Sequence, residues 1–117
     1  MKTYNLFEKQ DKNILWGNID CDFYYMDIQK YIRNNQNDDI ELDLKGIVTI
    51  DSSFITNVFV KLVKTYIDFK HSLVFNNIEN DSILYYLNKS FTENHIVAFI
   101  KKGDKFSSIG NKACCIE

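Results

Sequence analysis

Residues 40–54 read Ile40-Glu41-Leu42-Asp43-Leu44-Lys45-Gly46-Ile47-Val48-Thr49-Ile50-Asp51-Ser52-Ser53-Phe54. Ile40, Leu42 and Leu44 alternate with Glu41 and Asp43, which predicts a strand with one strongly apolar face. Gly46 interrupts the alternation, and Ile47, Val48 and Ile50 lead apolar into the next element. Asp51-Ser52-Ser53 then opens a helix, because Asp and Ser oxygens accept the orphan N–H groups of a first turn. A strand, a short junction and a capped helix therefore follow one another within fifteen residues, and this order points to an α/β fold.

The helix after Asp51 carries two apolar rows at spacing four: Phe54, Val58, Leu62 and Tyr66, and Ile55, Phe59 and Val63. Two adjacent rows make a wide stripe suited to packing on a sheet, with Lys61, Lys64 and Asp68 towards solvent. Downstream, the sequence predicts a strand at Ser72–Phe75 and a helix capped by Asn80-Asp81-Ser82, with Ile83, Leu84, Leu87 and Phe91 on its apolar face. A strand at Ile96–Ile100 follows, then a solvated turn at Lys101–Lys105. Upstream, Asp20–Asn34 reads as a helix led by Asp20 and Asp22, with Tyr24, Ile28, Tyr31 and Ile32 at helical spacing. Thr3–Phe7 and Asn13–Trp16 read as two strands of a hairpin turning through Glu8–Lys12. The alternation of strands and helices predicts crossovers and a mixed, mostly parallel sheet with helices packed on it. The domain is expected to span residues 1–105, with a tail over 106–117.

The chain has 117 residues, 45% hydrophobic and 26% charged, with a net charge of -2. That length suits one domain, and a chain of this size buries about two-thirds of its unfolded surface without a disulfide or metal. The slightly acidic balance argues against a general nucleic-acid binder, which needs a basic face. No apolar run approaches the roughly 20 residues of a membrane span. Met1–Phe7 has no long apolar core of a secretory signal. The three cysteines are an odd count and two are adjacent, which is no disulfide framework and predicts a reducing, cytoplasmic setting. Pro is absent, Arg occurs once, and Ile, Asn and Lys are abundant, a bias associated with AT-rich microbial genomes.

The stretch Asp43-Leu44-Lys45-Gly46-Ile47-Val48-Thr49-Ile50-Asp51-Ser52-Ser53-Phe54 resembles the signature of the STAS domain, the fold of anti-sigma-factor antagonists. That family carries Asp-Leu-x-Gly-Val at a strand end and Asp-Ser-Ser-Gly at the following helix start. Its element order matches the one read here over about residues 3 to 100. Phe54 replaces the usual Gly, a variant similar to a divergent bacterial STAS-like group thought to occur near histidine-kinase-like ATPases. The resemblance implies a single STAS-like domain and a non-enzymatic signalling role. It also implies a protein partner, either a histidine-kinase-like ATPase or a serine kinase. It places a phosphorylation site at Ser53, with Ser52 as the alternative. A phosphoserine brings about -1.5 to -2 charge, which a helix N-terminus tolerates and a partner shaped for a neutral hydroxyl does not. The partner face implied is Asp51, Ser52 and Ser53 with Thr56, Asn57, Lys61 and Lys64. Read without the resemblance, Ser52 and Ser53 are plain helix caps.

Other chemistry is sparse. His71 and His95 each precede an apolar strand, with no acidic or thiol neighbour at ligand spacing, so no metal site is expected. Cys114-Cys115 lacks an activating context beyond Lys112 and reads as a reduced tail, and Cys21 as packed. The four glycines are far apart and form no phosphate-binding loop. No catalytic residue and no cofactor are expected. Tyr24-Tyr25 and Tyr85-Tyr86 are adjacent pairs, so one member of each should be partly exposed. A different class of function, a small-ligand or nucleotide sensor, would use the crevice at Gly46–Ser53.

Overall fold

The structure, a computed structural model, describes residues 1–66 and 73–110. Strand β1 (Lys2–Asn5) leads into a short helix α1 (Leu6–Gln10), then β2 (Ile14–Leu15) and the long helix α2 (Gly17–Asn34). Next come β3 (Ile40–Asp43) and β4 (Thr49–Ile50). A continuous helical run follows: α3 (Ser52–Phe54), a π-helical segment (Ile55–Val60) and α4 (Lys61–Tyr66). β5 (Leu73–Asn76), α5 (Asp81–Glu93), β6 (Val97–Lys102) and β7 (Lys105–Gly110) complete the described chain.

The main sheet has the order β1-β3-β5-β6-β7, and β2 and β4 form a separate parallel pair. β1, β3, β5 and β6 are mutually parallel, and β7 is antiparallel to β6. The sheet is thus mixed and mostly parallel, as the alternation predicts. Each crossover moves one strand further in the same direction. Right-handed connections then place α2, the α3–α4 run and α5 on one face of the sheet. Tyr4, Leu42, Phe75 and Ile100 stand in register on that face, and all four are buried. Edge-to-face ring contacts run from Tyr24 to Phe54, Phe59, Phe75 and Phe91, tying α2, the π segment, β5 and α5 into one core. Such ring pairs add about 0.5–1.5 kcal/mol each beyond the area they bury.

Four expectations change. The opening hairpin does not form: Glu8–Gln10 is helical, and β1 and β2 lie in different sheets. The cause is local capping, since Asn5 Oδ1 accepts from the Glu8 amide at 2.8 Å and Asp11 closes the turn in the left-handed region at φ 56°. The antiparallel contribution to the sheet comes instead from the other end of the chain. There Phe106–Gly110, expected as the start of a tail, pairs in β7 along the whole of β6. Helix α2 begins at Gly17, three residues before Asp20. Asp20 is buried in its first turn, accepting from the Trp16 amide and paired with Lys12. Finally, the π turn brings Val60 into the core beside Val58 and Phe59, where two rows at spacing four do not place it.

Elsewhere the elements lie where the periodicity puts them. Ile83, Leu87 and Phe91 are buried on α5, with Leu84 half-buried. Tyr24 is buried and Tyr25 half-buried, whereas Tyr85 and Tyr86 are both exposed. Cys21 is half-buried against the core. His95 occupies the turn after α5 at φ 57°. Asp68, His71, Ser72, Cys114 and Cys115 lie outside the described residues.

Candidate functional site

Asp51 stands where β4 ends, in extended conformation, with its carboxylate turned back over the following helix. Its Oδ1 accepts from the Phe54 amide at 2.8 Å, the N-cap bond that the sequence predicts. The same oxygen accepts from the Gly17 amide at 2.9 Å. One carboxylate therefore caps the N-termini of both α2 and the α3–α4 run, and the positive ends of two helix dipoles converge on it. Trp16, the N-cap residue of α2, supplies no side-chain cap of its own.

The two helix starts are pressed together. A Cβ built on Gly17 would lie 2.6 Å from the Phe54 amide nitrogen and closer still to the Ser53 hydroxyl oxygen. Only glycine permits this approach. On the outer side, Ser52, Ser53, Thr56 and Asn57 are exposed. Asn57 Nδ2 donates to Ser53 Oγ at 3.2 Å, which orients the hydroxyl. The structure thus gathers Asp51 and Ser53 against Gly17, with Asn57 held on the Ser53 hydroxyl. The two lysines engage elsewhere: Lys61 Nζ sits 4.4 Å from the centre of the Tyr25 ring, and Lys64 Nζ donates to Asn94 Oδ1 at 3.1 Å. Lys61 leans towards α2 and Lys64 towards the end of α5.

A second polar centre lies at the carboxyl ends of the parallel strands. Asp43 Oδ1 accepts from Asn77 Nδ2 at 2.8 Å and from the Lys45 amide at 3.0 Å, and Oδ2 from Asn5 Nδ2 at 3.2 Å. Burial opposes ionisation of Asp43, but these hydrogen bonds and the nearby Lys45 charge outweigh it and hold the carboxyl below its ordinary range. Beside it Glu41, only 7% exposed, accepts from Asn76 Nδ2 at 2.7 Å and faces Lys101 Nζ at 3.8 Å. Two shallow crevices open nearby. One of about 290 Å³ is lined by Asn76, Asn77, Asp81, Lys101 and Lys102, and one of about 410 Å³ by Ile47, Val48, Glu79, Asn80 and Asp81. The second touches the Gly46–Ser53 junction at Ile47 and Val48, but neither is lined by Ser52 or Ser53.

Sequence reasoning missed three features here. The contribution of Gly17 and the Asn5–Asp43–Asn77 network join residues 34 to 38 positions apart, and no local pattern marks them. The outward row Trp16, Ile19, Phe23 and Met26 did have a signal, its three- and four-residue spacing, but a helix started at Asp20 cuts it short. Among the described residues no group of three or more His, Cys, Asp or Glu could hold a metal ion, and no helix is long and apolar enough to cross a membrane.

No curated protein and no solved structure matches the chain. A family model does: that of the STAS-like domain of unknown function (DUF4325), over residues 26–82. The matched span runs from the middle of α2 into the start of α5, through β3, Asp51, Ser52, Ser53 and the π segment. The match over those residues, the parallel sheet and the helix opening on Asp-Ser-Ser are together consistent with a divergent STAS-like domain.

Proposed function

We propose that this is a non-enzymatic regulatory module of the bacterial cytoplasm that binds a histidine-kinase-like ATPase or serine kinase through the face around Asp51, Ser52 and Ser53, and is switched by phosphorylation of Ser53. The observation that carries the reading is the double cap. Backbone donors of two helices hold Asp51, so the exposed serines stand on a surface that stays in place when one of them is modified. A phosphate on Ser53 adds about -1.5 to -2 charge beside Asp51 and against the first turn of α2. The two converging helix N-termini offset that charge within the domain. A partner seated against a neutral hydroxyl gains no such compensation and is repelled. Thr56 and Asn57 extend the face along the helix, with Lys61 and Lys64 at its far end.

The test is a capture from native-host lysate with wild type, Ser53→Ala and Ser53→Asp as baits. An ATPase-type kinase held by wild type and Ser53→Ala and released by Ser53→Asp is the expected result. Identical partners on all three baits would leave Ser53 an ordinary first-turn residue and overturn the switch. A second reading, a small-ligand or nucleotide sensor, is favoured by the crevices beside the strand-end network. A panel of nucleotides that leaves the melting temperature unmoved would remove it.

A further inference from the structure

Helix α2 turns Tyr24, Ile28 and Ile32 to the core. Its outward side should be polar. Instead Ile19, Phe23 and Met26 stand there at helical spacing, 66%, 41% and 68% exposed, led by Trp16 at 42%. The row continues in the last two turns as Lys30 and Arg33, both exposed. Taking each side chain at roughly 150–250 Å², the four apolar residues expose on the order of 400 Å². A patch of that size on a small domain commonly marks an interaction surface. Spacings of three and four residues over three turns are those of a helix laid into a groove.

The occupant can be narrowed. Suppose it is a second copy, with α2 crossing α2 about a two-fold axis. The register that covers every apolar residue sets Trp16 against Met26 and Ile19 against Phe23, and brings the two exposed Asp22 carboxylates to the same flank. The register that pairs Asp22 with Arg33 leaves Trp16 and Ile19 uncovered. The first register buries about 800 Å² of apolar surface and the second less, against the roughly 1,200 Å² total of a stable interface. Neither register satisfies charge and apolar coverage together.

We infer that α2 is a docking helix for a different protein, which presents an apolar groove to Trp16, Ile19, Phe23 and Met26 and an acidic end to Lys30 and Arg33. This surface stands independently of the Ser53 reading, although Gly17 brings its first turn against Ser53.

The experiment places p-benzoylphenylalanine at Met26, and at the exposed Tyr85 of α5 as control, in the native host under ultraviolet light. We expect an adduct with a second protein from Met26 and none from Tyr85. Peptide mapping should place it in an apolar segment bordered at one end by Asp or Glu. Adding Ile19→Glu should cut its yield about 30-fold or more, as for an interface hot spot. Lys30→Glu with Arg33→Glu should cut it several-fold. Ile19 is exposed, so a melting temperature within a few degrees of wild type is expected, and Phe23→Ala serves if that variant does not fold. An adduct of two copies of this chain, equal yield from both positions, no adduct, or an adduct indifferent to these substitutions would overturn the inference. Adding Ser53→Asp separates the two readings. An adduct that survives it, alongside unchanged capture in the Ser53 experiment, leaves the docking helix standing and the switch refuted. Loss of the Met26 adduct with the Ser53-dependent capture intact refutes the docking helix alone.

Discussion

Two aspartates stand at the ends of consecutive strands, β3 and β4, in separate sheets and are held in opposite ways. Asp51 is gripped by main-chain donors, the amides of Gly17 and Phe54, which cannot rotate away without unwinding a helix. Asp43 is gripped largely by the side-chain amides of Asn5 and Asn77, which can swing off at the cost of one hydrogen bond each. The first arrangement is a fixed joint between two helices. The second is an adjustable polar surface at the ends of four parallel strands, where open α/β sheets commonly receive ligands. A domain that needs one rigid contact and one adaptable one can build both from the same residue type by changing the donors.

The contrast makes graded predictions. Gly17→Ala strikes the joint hardest, because the added methyl has nowhere to go between Ser53 and Phe54. It should lower stability by about 2–4 kcal/mol in chemical denaturation. A loss under 1 kcal/mol would mean that the helices slide apart easily and the joint is not rigid. Asp51→Ala removes the cap of two helices and should cost about 2–3 kcal/mol, while Asp51→Asn keeps an acceptor oxygen and should cost about half as much. Equal losses in the two variants would shift the weight from hydrogen bonding to charge on the helix ends. Asp43→Asn is the mildest, about 1 kcal/mol at neutral pH.

The pH dependence of that last variant sharpens the comparison. The Asp43 carboxyl is lowered in the folded state, so its contribution is fully present above the ordinary carboxylate range. It is lost as the pH falls through that range towards the lowered value. The wild type should therefore lose its advantage over Asp43→Asn on acidification, read as converging melting temperatures. Curves that stay parallel to the acid limit would show that the network does not depend on the charge.

The strand at Ile40, Leu42 and Leu44 and the cap at Asp51 were legible because their signals lie within a few residues of their effects. The start of α2 was not, since the carboxylate that caps Gly17 is Asp51, 34 positions away in the chain. Helix α1 has five residues, too few to show a period, and only Asn5 announces it. β7 reads Lys105-Phe106-Ser107-Ser108-Ile109-Gly110, with Ile109 alone buried, so nothing apolar alternates there. At the site, Ser52, Ser53, Thr56 and Asn57 could be placed on an exposed face from the apolar rows behind them. The divergence of Lys61 and Lys64 depends on Tyr25 and Asn94, which belong to other elements.

The π-helical turn at Ile55–Val60 acts as an index on a shaft. It holds one more residue than an α-helical turn does. Deleting a single residue there would leave an α-helical turn that closes the same circle with one residue fewer. With α4 seated by Leu62 in the core, the serines at the head of the helix would keep their bearing, whereas winding the same residues as plain α-helix would swing them by about 100°. The bearing of Ser52 and Ser53 on the surface is thus set by the winding of the residues between the hydroxyls and Leu62 as much as by their identity. A homologue lacking that extra residue would aim the same Asp-Ser-Ser letters at the same neighbour from an unbroken α-helix.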